Sequence, residues 1–137
     1  MGVPLSSEAQ AFLKEQVYAH ICTLMRDGSP HSTIVWVDTD GENLLVNSST
    51  NRVKLKNMTR DNRVSLSIAG PDNAYRCLYV RGLVTSITED SELTFIDSLA
   101  KKYRGQDQYP RDRLVGETRM KIVIEPLSVI ERGLDRK

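Results

Sequence analysis

Between residues 47 and 64 the chain reads NSSTNRVKLKNMTRDNRV, and its cations stand in an unfavourable place. Thr50 or Asn51 is the expected N-cap of a helix here, which puts Arg52 and Lys54 in the first helical turn. That end of a helix already carries unpaired N–H groups and the positive pole of the macrodipole, so it stabilises anions and not cations. An anionic ligand removes the conflict. A phosphate beyond the helix start would accept from backbone N–H groups, from the hydroxyls of Ser48, Ser49 or Thr50, and from both long cationic side chains. At about 3.6 residues per turn, Arg52, Lys56 and Arg60 form a stripe that Lys54 does not share. The same charges are also compatible with a solvated helix face paired with Asp61 or with nothing. The pattern by itself leaves both readings open.

The elements that must hold these residues are mostly strands. Ser7 and Gln10 suggest a capping box opening a first helix over about residues 7 to 18, with Phe12, Leu13 and Val17 on its apolar side. AHICTLM, HSTIVWVD and NLLVNS follow as β-prone segments, separated by turns at Asp27-Gly28 and Asp40-Gly41, and read as an antiparallel meander. After the cationic helix, RVSLSIA alternates cleanly and AYRCLYVRGLVTSIT forms a long strand in which Gly82 marks a bulge or bend. Helical spacing returns from about residue 91 to 103 through Leu93, Ile96, Leu99, Ala100 and Tyr103. RGQDQYPRDRLVGE reads as a polar surface loop, and RMKIVIEPLSVIERG as one or two final strands broken or edged at Pro126. Without alternating βαβ units the expected class is mainly β: an antiparallel barrel of six or seven strands with peripheral helices.

Composition narrows the function classes. The 137 residues form one expected domain, 1–137, with 39% hydrophobic and 27% charged residues, as a globular chain requires. Net charge is +1, so positive charge is local, which argues against a nucleic-acid or membrane surface. Cys22 and Cys77 lie far apart in apolar contexts and are expected as buried thiols. No signal-peptide profile or spanning apolar run is evident, and the myristoylation-like Gly2 and Ser6 stand without other support, so a cytoplasmic location is expected. His20 and His31 lack the partners of a metal site or a triad and are expected to be structural. There is neither a GxGxxG nor a Walker motif to support a nucleotide-binding loop. Trp36 is expected chiefly to pack, in the core or at a dimer interface, with walling of a ring site as the alternative, and Arg119 to be solvated unless it reaches a ligand.

The run TLMRDGSPHSTIVWVDTDGENLLVNSSTNRVKLKNMTRDNRVSLSI, followed by PDNAYRCLYVRGLVTSI, resembles the pyridoxamine 5′-phosphate oxidase-like split β-barrel family. It is most similar to the branch of coenzyme F420-dependent deazaflavin oxidoreductases, over about residues 19 to 131. That branch carries a pattern close to R-x-K-x-R-N after the third strand, present here as Arg52, Lys54, Lys56 and Asn57. The resemblance implies that Arg52 and Lys54 hold the cofactor's phosphodiester, with hydrogen bonds from Ser48 and Ser49, and that Lys56 steers a polyglutamate tail. Lys56 keeps the charge of the family's arginine without its planar fork. The loop Asp72, Asn73, Ala74, Tyr75, Arg76 lacks a family proline but keeps the pair Tyr75 and Arg76, which the family often places near cofactor across a dimer interface. By the same analogy, the backbone at Thr33 and Val35 approaches the flat ring. The family thus implies a homodimeric reductase that passes hydride from reduced F420 to a small unsaturated acceptor of enone, quinone or tetrapyrrole type. Its alternatives are an FMN-dependent oxidoreductase of the same fold and a non-catalytic carrier of deazaflavin or haem. No catalytic residue of the protein itself is implied.

Overall fold

Strand alternation closes the barrel. In the computed structural model, which describes residues 2–135, six strands run antiparallel: β1 (Tyr18–Leu24), β2 (Pro30–Thr39), β3 (Leu44–Ser49), β4 (Arg63–Ala69), β5 (Cys77–Glu89) and β6 (Arg119–Arg132). Their order around the barrel is β1-β2-β3-β6-β5-β4, with β4 returning to β1. Alternate residues point inward, so Ala19 and Ile21, Leu66 and Ile68, Leu78 and Val80, and Ile122 and Ile124 fill the core. Three α-helices are peripheral: α1 (Ser7–Lys14), α2 (Val53–Arg60) and α3 (Thr94–Arg104). Phe12 and Leu13 bring α1 into the same core. No helix among the described residues is long and apolar enough to cross a membrane.

Gly82 and Pro126 explain the long β5–β6 ribbon. They sit opposite each other where the register shifts, and a Cβ on Gly82 would lie 2.5 Å from the Glu125 carbonyl oxygen. The missing proline N–H is tolerated at such a bulge, so β6 continues as one strand. The helices differ from expectation at their ends. Ser6 caps α1, accepting from the Ala9 N–H at 3.0 Å, in place of a Ser7 box, and α1 stops at Lys14 because β1 begins at Tyr18. Asp90 starts α3 by accepting from the N–H groups of Phe95 at 3.2 Å and Ile96 at 2.8 Å, with Leu93 in left-handed backbone at φ 62°.

Two features of this barrel create a site. β3 is buried on both faces, since the core lies inside it and a second apolar cluster of Leu45, Phe95, Ile96, Leu99 and Tyr103 lies outside, under α3. Its polar end, Asn47, Ser48 and Ser49, is therefore buried as well. The pairing of β2 with β3 also ends early, covering only Val37–Thr39 against Leu44–Val46. Beyond that point β2 keeps its β1 partner but has no ladder on the β3 side. The barrel is split there.

Candidate functional site

A cavity of about 220 Å³ occupies the split. Ile34, Val35 and Trp36 border it from β2, Asn47 and Ser48 from β3, and Arg119 from the start of β6. Arg52 and Lys54 reach it from α2, Ile96 and Arg104 from α3, and Tyr109 from the following loop. Four of these residues are cationic and none is a carboxylate. Glu117, just outside, is the nearby counter-charge: it accepts from Arg119 at 2.8 Å and stands 3.8 Å from Arg52.

The α2 cap is a correction to the sequence reading. Neither Thr50 nor Asn51 caps the helix; Arg52 does, in extended backbone at φ −89° and ψ 142°, and no side chain bonds the free N–H groups. The acceptor of Asn51 is already used, since it receives the Ser49 hydroxyl at 2.5 Å. Lying outside the helix, Arg52 escapes helical spacing. It therefore shares the cavity with Lys54, while Lys56 and Arg60 share a different cleft of about 480 Å³ with Met25 and Asp27. The expected stripe of Arg52, Lys56 and Arg60 is broken at its first member. Arg60 is also occupied, donating to the Leu24 carbonyl at 2.6 Å and to Asn57 at 2.9 Å, and Asn57 ties α2 to Thr23 of β1 at 3.0 Å.

The cavity walls carry unused donors. Asn47 and Ser48 are 9% and 3% exposed, yet Asn47 Nδ2, Ser48 Oγ and Arg119 Nε have no hydrogen-bond partner among the described residues. Asn47 turns its oxygen to the Arg119 guanidinium, which leaves its N–H₂ group facing unbonded. Each unmet buried group costs about 1–3 kcal/mol, so such a cluster marks a place where ligand oxygens are expected. Electrostatics agree. Burial holds the Lys54 ammonium below its ordinary range, and the charges of Arg52 and Arg119 add to this. An anion beside Lys54 would favour its charged form and offset the repulsion from both arginines.

An aromatic stack forms the other side of the cavity. Trp36 lies parallel to Tyr103 with centroids 5.0 Å apart, meets Tyr109 edge-on at 6.1 Å, and carries the Arg104 guanidinium 5.2 Å from its ring centre. Trp36 thus both packs and walls the cavity. Tyr103 is anchored by its hydroxyl, which donates to the Val17 carbonyl and accepts from the Val37 N–H at 3.0 Å. Tyr109 is held by Asp97, which accepts its N–H at 2.9 Å and takes two bonds from Arg111 at 2.8 Å. The 105–118 loop is tied down at this point.

Other residues singled out in the sequence lie outside the cavity in one chain. Ser49 is fully buried on Asn51. Thr33 keeps a buried hydroxyl without a partner, one strand position pair before Val35, which does line the cavity. Tyr75 is 87% exposed, whereas Arg76 is buried, in a two-bond ion pair with Glu15 and 4.9 Å above the Phe12 ring. Asn47, Arg104 and Tyr109 also line the cavity, and no sequence motif marks them. Arg104 had a faint signal, falling eight residues after Ile96 on the same helix face.

Lys102, next to the stack, gives a pH signature. Its ammonium donates to the carbonyls of Leu13 and Val37, joining α3 to α1 and β2, and burial pushes its pKa from 10.5 down to about 8 despite the opposing pull of Asp38. Between pH 8 and 10.5 the unfolded chain holds this proton and the folded chain does not, so Lys102 makes stability rise with pH there. Below pH 8 both states are charged and the burial penalty is fully present. Tyr103, pushed up to about 12 by burial, acts in the opposite sense only above pH 10. Urea midpoints at pH 7.5 and 9.5 should show this rise, and Lys102→Met should flatten it; an equal rise in the variant would assign it elsewhere.

Comparisons with known proteins agree with this architecture. Residues 5–129 match the family model described as pyridoxamine 5′-phosphate oxidase. The chain belongs to that family. A solved structure described as an F420 reductase is 34% identical, superposes with a TM-score of 0.80, and is covered over 98% of its length by 93% of this chain. With the family match, this relative puts the chain on the F420-associated branch. The conserved hypothetical protein Rv2991 from Mycobacterium tuberculosis is 22% identical, with a TM-score of 0.72 over 93% of this chain and 84% of its own. The haem storage protein HutZ from Vibrio cholerae is 19% identical, with a TM-score of 0.69 over 96% of each chain. These two share the fold. No curated protein sequence gives a match.

Proposed function

We propose that this family member is a coenzyme F420-dependent reductase of small unsaturated acceptors. The observation that carries the reading is the donor set at the split. Arg52, Lys54, Asn47 Nδ2, Ser48 Oγ and Arg119 Nε are all donors or cations, the last three buried and unpartnered. Phosphodiester oxygens fit such a set, because they accept hydrogen bonds and carry the charge that the cations repel each other for lacking. Arg52 and Lys54 would hold that group, with Ser48 donating beside them. The β2 edge near Thr33 and Val35, freed from β3, offers backbone donors and acceptors to a flat ring. Lys56, in its separate cleft, would guide an acidic tail through its charge alone.

When bound, the reduced deazaflavin supplies a hydride for an electrophilic carbon of the acceptor, whose balancing proton comes from water. The protein's residues bind, orient and shield. Trp36 and Tyr109 would position the acceptor, and Ile34, Val35 and Ile96 keep water from the ring. The cavity of about 220 Å³ is below the ~300–1,000 Å³ usual for small-molecule sites, which supports a homodimer in which a second copy completes it. The exposed Tyr75 is suited to reach across such an interface.

The test is parallel titration with F420, FMN and haem, followed by turnover of reduced F420 with enone and quinone acceptors. Tightest binding of F420 together with acceptor-dependent oxidation is the expected result. Preference for FMN would assign the flavin reading. Binding without turnover over a broad acceptor panel would make the protein a carrier.

A further inference from the structure

The cavity's four cations fall into two groups. Arg52 and Arg119 are the cations that act on Lys54, so these three form one electrostatic cluster. Arg104 is not among the charges acting on Lys54 and instead stands over Trp36, at the aromatic end. It comes from the last turn of α3 and makes no ion pair among the described residues. Of the carboxylates near it in sequence, Asp97 is held by Arg111 and the Tyr109 N–H, and Asp107 stands in solvent 3.6 Å from Lys101. The phosphodiester assignment uses Arg52 and Lys54 and leaves Arg104 without an anion.

Resting on the F420 reading above, we propose that this end is the acceptor subsite and that it selects planar conjugated acceptors bearing a carboxylate. The corner between Trp36 and Tyr109, rings at 76° to one another, fits a flat guest against one ring and edge-on to the other. Stacking on Tyr103 fixes the indole, and the bond from its backbone N–H to Asp97 fixes the Tyr109 main chain, before a guest arrives. Arg104 supplies the matching charge at its rim. Its guanidinium, 5.2 Å from the indole centre, offers a planar fork suited to two carboxylate oxygens. A neutral acceptor could use the corner but not the fork. Arg104 is therefore a specificity residue for the anionic end of the acceptor.

Trp36 is the chain's single tryptophan, so its emission reports on this corner without cofactor or turnover. The experiment is a saturable quenching titration of the full-length protein with 3-benzoylacrylate and, separately, with its methyl ester. These probes share the aromatic ring and the conjugated ketone, and differ in charge. The acid should bind roughly fivefold more tightly than the ester, the factor expected for one partly solvated ion pair. Arg104→Gln should bring acid and ester to equal affinity, and Arg104→Lys should restore part of the difference. Equal binding of acid and ester by the unmodified protein overturns the proposal. So does an Arg104→Gln variant that keeps the preference, or one that loses affinity for F420 while keeping it, since the arginine would then serve the cofactor's own carboxylates. Failure of F420 to bind the unmodified protein, read by deazaflavin fluorescence, would remove the cofactor reading while the Trp36 titration still decides the subsite.

Discussion

Replacing Arg52 and Lys54 together by alanine should weaken F420 binding by about 3 kcal/mol, roughly a hundredfold in Kd, and leave the fold as stable as before or slightly more so. The first effect follows from two charge-assisted contacts, taken at the low end because the Arg52 side chain is 55% exposed. The second follows from repulsion, since Arg52 and Arg119 both disfavour the charge on Lys54. Removing two like charges from a cluster that Glu117 counters relieves the folded protein. A merely solvated helix face would behave differently, with stability and binding both nearly unchanged. Lys56→Ala is the internal comparison: its cleft is separate, so its loss of affinity should be small and should fade as salt is raised. A double variant whose Kd lies within a few-fold of the unmodified protein at fixed salt would move the phosphate site elsewhere.

The sequence was most informative where a periodic pattern was the cause of the structure. RVSLSIA alternates because one side of β4 is core, and Val64, Leu66 and Ile68 are buried accordingly. Asp27-Gly28 and Asp40-Gly41 announced their turns because Gly28 and Gly41 adopt φ of 86° and 100°, which other residues resist. The start of α2 was harder to place, for a reason confined to four residues. Ser49 spends its hydroxyl on Asn51, so a residue with strong capping propensity is unable to cap, and the break passes to Arg52. That short shift, from Thr50 or Asn51 to Arg52, decided which cations meet. It joined Arg52 to Lys54 and left Lys56 with Arg60.

The remainder of the cavity was illegible because its members are far apart in the chain. Asn47 looks like an ordinary strand residue until α3 covers the outer face of β3, and Arg119 like a solvated strand end until its guanidinium meets Asn47 and Glu117. Arg104 and Tyr109 gain meaning from Trp36, about seventy residues earlier. The β2–β3 ladder, whose early end opens the site, stops at Val46 while β3 stays paired with β6 through Ser49, and no local pattern encodes that stop. Periodicity thus revealed the barrel, whereas the site came from the barrel's interruption.

Arg76 presents the sharpest conflict between resemblance and geometry, and stability measurements can resolve it. The resemblance makes it a cofactor contact. In the structure its side chain is 9% exposed, bonded through both terminal nitrogens to Glu15 and packed over the fully buried Phe12. The hydrogen bonds from the guanidinium to the Glu15 carboxylate raise its pKa further, so Arg76 is charged at any workable pH. Arg76→Ala should therefore cost about 2–3 kcal/mol in urea unfolding, below the ~3–5 kcal/mol of a fully buried pair because Glu15 is partly solvated. Arg76→Met should cost less, since its stem still covers Phe12 and what is lost is the ion pair with Glu15. Folded Arg76→Ala protein should bind F420 as the unmodified protein does. If stability holds and cofactor affinity falls instead, the Glu15 pair is dispensable and Arg76 acts across a subunit boundary. If stability falls alone, the arginine that looked like a ligand contact in sequence is the clamp joining α1 to the β4–β5 turn, and Tyr75 is left as the residue of that loop able to reach a second site.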